Sequence, residues 1–167
     1  MDDYEVYLDS IEGACLHPLA REGFRYWRGL LQGRRFPTRA EVDPTAIPRN
    51  LAQISVVDVT SDPPDFRLRL LGHHNRLHQG VGPGEGIHEV QPSQGRDRIL
   101  ARLRLCVEEA RPIRGVYRYV PLQTRGAAVW AEVMSCPLSD DQQAVTHIIS
   151  FGADFGAPPA SGLAEWP

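Results

Sequence analysis

The sequence predicts an α+β domain: a five-stranded antiparallel sheet, an amphipathic helix before it, and helices between its second and third strands. Two patterns carry this prediction. Short runs rich in β-branched and aromatic residues fall at 54–59, 66–71 and 113–121, and twice within 127–151. Apolar stripes with a 3.6-residue period fall at 18–32 and 93–110, on either side of the first two strands.

Taken in order, residues 1–12 are expected to form a short helix, because Tyr4, Leu8 and Ile11 share one face. Pro18 suits a first helical turn, and Phe24, Trp27 and Leu31 then form a stripe opposite Arg21, Glu22, Arg25 and Arg28. Gly33 closes that helix, which is expected to cover one face of the sheet. Prolines 37, 44 and 48 forbid a continuous helix through 33–51. The first two strands flank a tight turn at 61–65, rich in Asp and Pro.

Residues 72–90 are rich in glycine and histidine, and a helix through 73–79 is expected to break at Gly80, Gly82, Pro83 and Gly84. Pro92 and Ser93 open the long helix, with Ile99, Leu103, Cys106 and Ala110 on one stripe and Pro112 as its stop. In the closing hairpin Ala131, Val133 and Ser135 point one way, and Trp130, Glu132, Met134 and Cys136 the other. Its second strand alternates Ile149 and Phe151 with Ile148 and Ser150. Neither strand has a clean polar face, so the sheet should be covered on both sides.

Bulk composition removes several function classes. At 167 residues, 42% hydrophobic and 23% charged, the chain is long enough for one ordinary core. A net charge of −3 gives no general pull toward nucleic acid or anionic lipid. All 18 basic residues are arginine, which excludes a Schiff-base or P-loop lysine. Cys15, Cys106 and Cys136 are scattered and odd in number, so neither a disulfide nor a zinc site is expected and a reducing cytoplasm fits best. The acidic N-terminus lacks the pattern of a secretory signal, and no apolar run approaches the roughly 18 residues of a membrane span.

Local motifs carry little chemistry. His74 and His78 stand four apart, the spacing of two metal ligands on a helix, but no carboxylate or cysteine accompanies them at matching spacing. No metal and no cofactor is therefore expected. The glycines of 80–86 fail the spacing of a phosphate loop. Arg96, Arg98, Arg102 and Arg104 are accompanied by Asp97, Glu108 and Glu109, which reads as a solvated helix face. Ser135 and Cys136 lack a nucleophile-elbow pattern.

A more specific signal lies in 26–51: Tyr26-Trp27, Gly33-Arg34-Arg35, Pro37-x-Arg39, Asp43-Pro44, Ile47-Pro48 and Leu51. With Phe66-x-x-Arg69-Leu70-Leu71-Gly72 and Cys136-Pro137-Leu138-Ser139, this series resembles a family of small bacterial PAS-like proteins, over about residues 24–151. Two positions depart from it: His73-His74 stands where the family usually has threonine, and Asp141-Gln142-Gln143 replaces a glycine turn.

The resemblance implies a PAS-like α+β fold, with 1–51 as N-terminal helices and connector, 52–151 as the PAS-like domain and 152–167 as a mobile tail. It also implies a sensory module without catalysis that binds a small-molecule ligand or a partner signalling protein, or pairs as a homodimer. Haem held by one of the histidines would be such a module's cofactor option, though none is expected here. Nucleic acid and membrane are not expected partners.

A ligand would lie between sheet and helices, where Arg69, His74, His78, Tyr117 and Trp130 are the candidates to face it. Arg69 would supply a fixed charge for an anion, unless it pairs with Asp58 or Glu132 across the sheet. Strand parity alone leaves the concave face open. Two alternatives remain: a small cone-shaped α+β isomerase or cyclase using His147 or Glu132 as base, and a ligand-free dimerisation scaffold.

Overall fold

The computed structural model describes residues 2–61, 63–73, 81–90, 93–120 and 126–155. Helix α1 (Asp3–Ala14) starts where the Asp2 carboxylate accepts from the Tyr4 backbone N–H, and it buries Leu8 and Ile11. Helix α2 (Pro18–Leu30) carries proline in its first turn and is capped by His17, whose Nδ1 accepts from the Leu19 N–H. It buries Ala20, Gly23, Phe24 and Trp27. Gln32 and Gly33 both take left-handed φ values and turn the chain away. The proline-rich connector resolves into three single 3-10 turns, Arg39–Glu41, Pro44–Ala46 and Pro48–Asn50.

Strands β1 (Ile54–Val59) and β2 (Phe66–Leu71) follow, then helix α3 (Ser93–Glu109) and strands β3 (Ile113–Tyr119), β4 (Val129–Leu138) and β5 (His147–Phe155). All pairings are antiparallel and the spatial order is β2-β1-β5-β4-β3. The outer helices are therefore held by a sheet whose first and last strands meet in the middle. Strand β5 continues through 152–155, residues the sequence places in the tail. The reason is cross-strand pairing: Trp130 and Ala131 of β4 stand opposite Phe155 and Asp154. The rest of that tail, 156–167, lies outside the described residues.

Both faces of the sheet are covered. On one, Ile54, Val56, Met134, Cys136, Ile149 and Phe151 pack under Leu8, Phe24 and Trp27. On the other, Val57, Phe66, Leu68, Ile113 and Ile148 pack under Leu103 and Cys106 of α3 and under Ile87 and Val90. Gly23 marks the closest approach of α2 to the sheet. A Cβ there would stand 2.3 Å from the Phe151 ring, so alanine would overpack the contact by about 1–3 kcal/mol.

The motif residues of the connector meet those of the closing hairpin. Trp27 Nε1 donates to the Pro137 carbonyl at 2.9 Å, and the Ser139 N–H donates to the Pro37 carbonyl at 2.9 Å. The Arg39 N–H donates to the Asp140 carboxylate at 2.9 Å. These landmarks clamp the connector to the β4–β5 turn, so their spacing answers to architecture.

Another clasp holds the end of α2. Glu41 accepts from Arg34 Nη2 at 2.5 Å and from the Thr38 N–H and hydroxyl at 2.7 and 2.9 Å. The Arg34 guanidinium, then the Thr38 N–H, pull its carboxyl down from 4.5 to about 2. A depressed carboxyl contributes stability that is complete above its unfolded value and is lost as pH falls through the folded one. The clasp should therefore weaken between pH 4.5 and 2. A carboxyl-detected NMR titration of the folded protein is expected to give Glu41 a midpoint near 2, and a midpoint at 4.5 would contradict the clasp.

Candidate functional site

Helix α3 places one charged side chain where its stripe calls for an apolar one. Arg102 follows Ile99 by three residues and precedes Cys106 by four, so it lies on the sheet-facing side. Its relative exposure is 4%, which corrects its assignment to a solvated arginine face; Arg104 is the member of that group that is exposed. Arg102 Nε donates to Ser135 Oγ at 2.9 Å, and its guanidinium stands 5.5 Å from the centre of the Tyr117 ring. Its Nη1 is buried and has no hydrogen-bond partner among the described residues.

The floor beneath Arg102 is a row of hydroxyls. Ser150 stands opposite Ser55 on β1 and opposite Ser135 on β4, so three serines cross three adjacent strands. Ser135 Oγ and Ser150 Oγ are 2.9 Å apart. A cavity of about 40 Å³ opens here, lined by Gln53, Ser55, Ser150, Arg102 and Tyr117 together with aliphatic groups such as Leu103 and Ile87. A wider depression of about 410 Å³ lies between the start of α1 and the end of α2. Asp2, Glu5, Arg34 and Arg35 line it. Their charges are mixed and at least partly exposed, so water screens them.

The candidates named from sequence distribute unevenly around this cavity. Tyr117 lines it. Trp130 lies on the opposite face, because the residue opposite Tyr117 in the ladder is its neighbour Ala131 and successive side chains alternate. Arg69 also lies away from it. The β1–β2 register slips beside Arg69, leaving its side chain 63% exposed at the sheet edge and paired with Asp58 at 2.5 Å. The charge at the cavity therefore comes from α3 and not from β2. His74 and His78 lie outside the described residues.

Neither proposed catalytic base reaches the cavity. Glu132 is fully buried on the α2 side, where it accepts from the Leu16 N–H at 3.0 Å, the His17 N–H at 2.6 Å and Arg114 Nε at 2.5 Å. Its carboxylate ties the α1–α2 junction to β4. His147 sits at the start of β5, with Nδ1 3.0 Å from Thr146 Oγ1 and Nε2 3.4 Å from Asp58. The three cysteines are buried and unpaired. Burial, then the nearby Glu132, pushes the Cys15 thiol up to about 11, and burial pushes Cys106 and Cys136 up as well. None is poised as a thiolate nucleophile. Among the described residues no three His, Cys, Asp or Glu side chains group as a metal site.

The family model described as PAS domain matches residues 16–151, from the α1–α2 junction into β5. The chain belongs to the PAS domain family. The match takes in every lining residue of the cavity except Gly152, one position beyond its end, while α1 precedes it.

Several solved structures also align with this PAS domain. An RNA-binding light-oxygen-voltage receptor is 22% identical with a TM-score of 0.48, over 71% of this chain; this chain spans 35% of that receptor's length. The PAS domain of a protein from Colwellia psychrerythraea is 14% identical with a TM-score of 0.48, over 67% of this chain and 96% of its own. The LOV domain of the Erythrobacter litoralis EL346 blue-light activated histidine kinase is 14% identical with a TM-score of 0.44, over 62% and 95%. No curated protein matches. No described helix of the PAS domain is long and apolar enough to cross a membrane.

Proposed function

We propose that this PAS domain is a sensory signalling module, which registers a small molecule beneath α3 and acts through another chain rather than by catalysis. The observation that carries the reading is polar: a buried arginine over a row of serines, set in a largely apolar core. Burying such groups is unfavourable unless something satisfies them, so their presence at a cavity points to an occupant. The described lining contains no carboxylate, imidazole or thiol to move a proton, which favours binding over reaction.

Occupancy has a short route outward. Ser135 and Ser150 sit next to Cys136 and Ile149, whose side chains lie under α1 and α2 on the reverse face. A ligand that shifts the serine row would shift the seat of those helices, which would meet a partner signalling protein or a second copy. The free cysteines accord with a cytoplasmic site of action.

The test is native mass spectrometry of the purified protein, with thermal melting against neutral, cationic and anionic metabolites. A saturable rise in Tm, accompanied by altered hydrogen exchange in α2, is the expected result. A second reading, the ligand-free dimerisation scaffold, is favoured by the small cavity: about 40 Å³, against roughly 300–1,000 Å³ for pockets that hold drug-sized ligands. If no compound of any class raises Tm and the native mass is that of protein alone, the scaffold replaces the sensor.

A further inference from the structure

We propose that Arg102 is the seat of a small planar oxyanion of three or four heavy atoms, in the class of formate, acetate, bicarbonate and nitrate. This rests on the sensory reading and names the chemistry of its ligand.

The charge comes first. Two arginines meet the sheet from opposite sides, and the fold treats them differently. Arg114 places Nε on the fully buried Glu132 carboxylate, so its charge is met. Arg102 is the more deeply buried of the two, and among the described residues it meets only the Ser135 hydroxyl and the Tyr117 ring, although each guanidinium leaves one buried Nη without a partner. Among the described residues no ion pair reaches it: Asp97 pairs with Arg96, Glu109 with Arg111, Glu132 lies across the sheet, and Asp154, on the same face as Tyr117, accepts from the Tyr119 hydroxyl. A desolvated cation without a counter-charge, with Nη1 unpartnered, selects an anion over a neutral molecule.

Hydrogen-bond direction agrees. Ser135 Oγ accepts from Arg102 Nε and lies 2.9 Å from Ser150 Oγ, where either hydroxyl can be the donor. In the arrangement where Ser135 donates, the Ser150 proton is left for an occupant, as is that of Ser55 in the same row. The cavity thus presents donors from Arg102 and from two hydroxyls, the pattern that a group rich in acceptors satisfies. A flat oxyanion also matches the guanidinium plane, whose Nη end remains once Nε is engaged.

Size then narrows the class. One water needs about 10–15 Å³ by the same measure, so about 40 Å³ admits three or four heavy atoms. A dicarboxylate or a nucleotide phosphate does not fit. Four heavy atoms at the ceiling of ligand efficiency give a Kd no tighter than about 40 µM, so the site would read abundant metabolites.

The experiment titrates the full chain with sodium formate, acetate, bicarbonate and nitrate at constant ionic strength, using sodium chloride and neutral acetamide as controls. Thermal melting and the ¹⁵Nε–Hε NMR signals of the arginines are both read. Acetate-sized oxyanions should raise Tm saturably by roughly 5–10 °C at a hundredfold excess over Kd. They should also move the Arg102 signal while leaving that of Arg114 in place. Which anion binds tightest separates a carboxylate source from bicarbonate or nitrate. In Arg102→Lys, which keeps the charge but not the fork, affinity should fall at least tenfold, and in Arg102→Gln the response should vanish.

Equal stabilisation by acetamide, or a response that persists in Arg102→Gln, overturns the oxyanion seat. So does an Arg102 signal in the wild-type protein that stays unmoved by every one of these anions up to about 100 mM, far above the roughly 40 µM floor, a result that needs no variant to fold. If a neutral compound from the broader panel binds instead, the sensory module stands and only the ligand class fails.

Discussion

Glu132→Ala is expected to destabilise the protein by about 3–5 kcal/mol, the range for breaking a buried ion pair by removing one partner. The carboxylate is fully buried and serves three donors: the Leu16 and His17 N–H groups at the α1–α2 junction and the Arg114 guanidinium. Its removal leaves Arg114 charged, mostly buried and without its acid. Two N–H groups at the mouth of α2 lose their acceptor at the same time. Urea denaturation of the variant should show the loss as a lower midpoint, and hydrogen exchange at Leu16 and His17 should accelerate. Glu132→Gln should recover only part of it, since an amide oxygen still accepts but leaves the Arg114 charge unmet. A loss below about 1 kcal/mol for alanine would show that water reaches Arg114 and that the carboxylate is not what ties helix to sheet.

Trp27→Ala belongs in the same range, about 3–5 kcal/mol, for a different reason. Trp27 is fully buried against Phe24, with ring centroids 5.9 Å apart, and its Nε1 holds the Pro137 carbonyl of β4. Truncation would open a void between α2 and the sheet and orphan that carbonyl. For a chain of this size the melting midpoint should drop by roughly 6–20 °C. Trp27→Phe should cost less, because it keeps much of the packing and loses the hydrogen bond. Equal losses for the two variants would mean that the bond, and not the ring, carries the contact.

Much of the scaffold could be read from local pattern. The bounds of β1 and β2 follow from alternation between turn-forming residues, and Phe24 and Trp27 declared the buried stripe of α2. Register was not legible, because it depends on which residues of distant strands come to stand side by side. Ser55, Ser135 and Ser150 are individually unremarkable; only their alignment across β1, β5 and β4 makes a polar floor. The same blindness put Trp130 and Tyr117 on one list, although parity sends them to opposite faces. Arg69 was drawn toward the ligand because a bulge cannot be seen in a run of alternating residues. Arg102 did leave a trace: it keeps helical step with Ile99 and Cys106. Its membership in an arginine-rich stretch outweighed that step.

The slip beside Arg69 also bears on how copies of this protein keep apart. Strand β2 is one edge of the sheet, and the main chain of 84–85 already bonds to Leu68 there, with Arg67 bridging Gly86. A foreign strand seeking to extend the sheet would have to displace that segment and pass two exposed arginines. Strand β3, at the other edge, carries the exposed Arg118. One border is thus filled by the chain itself and the other marked by a charge, which guards a strongly apolar sheet against strand-by-strand fibre growth.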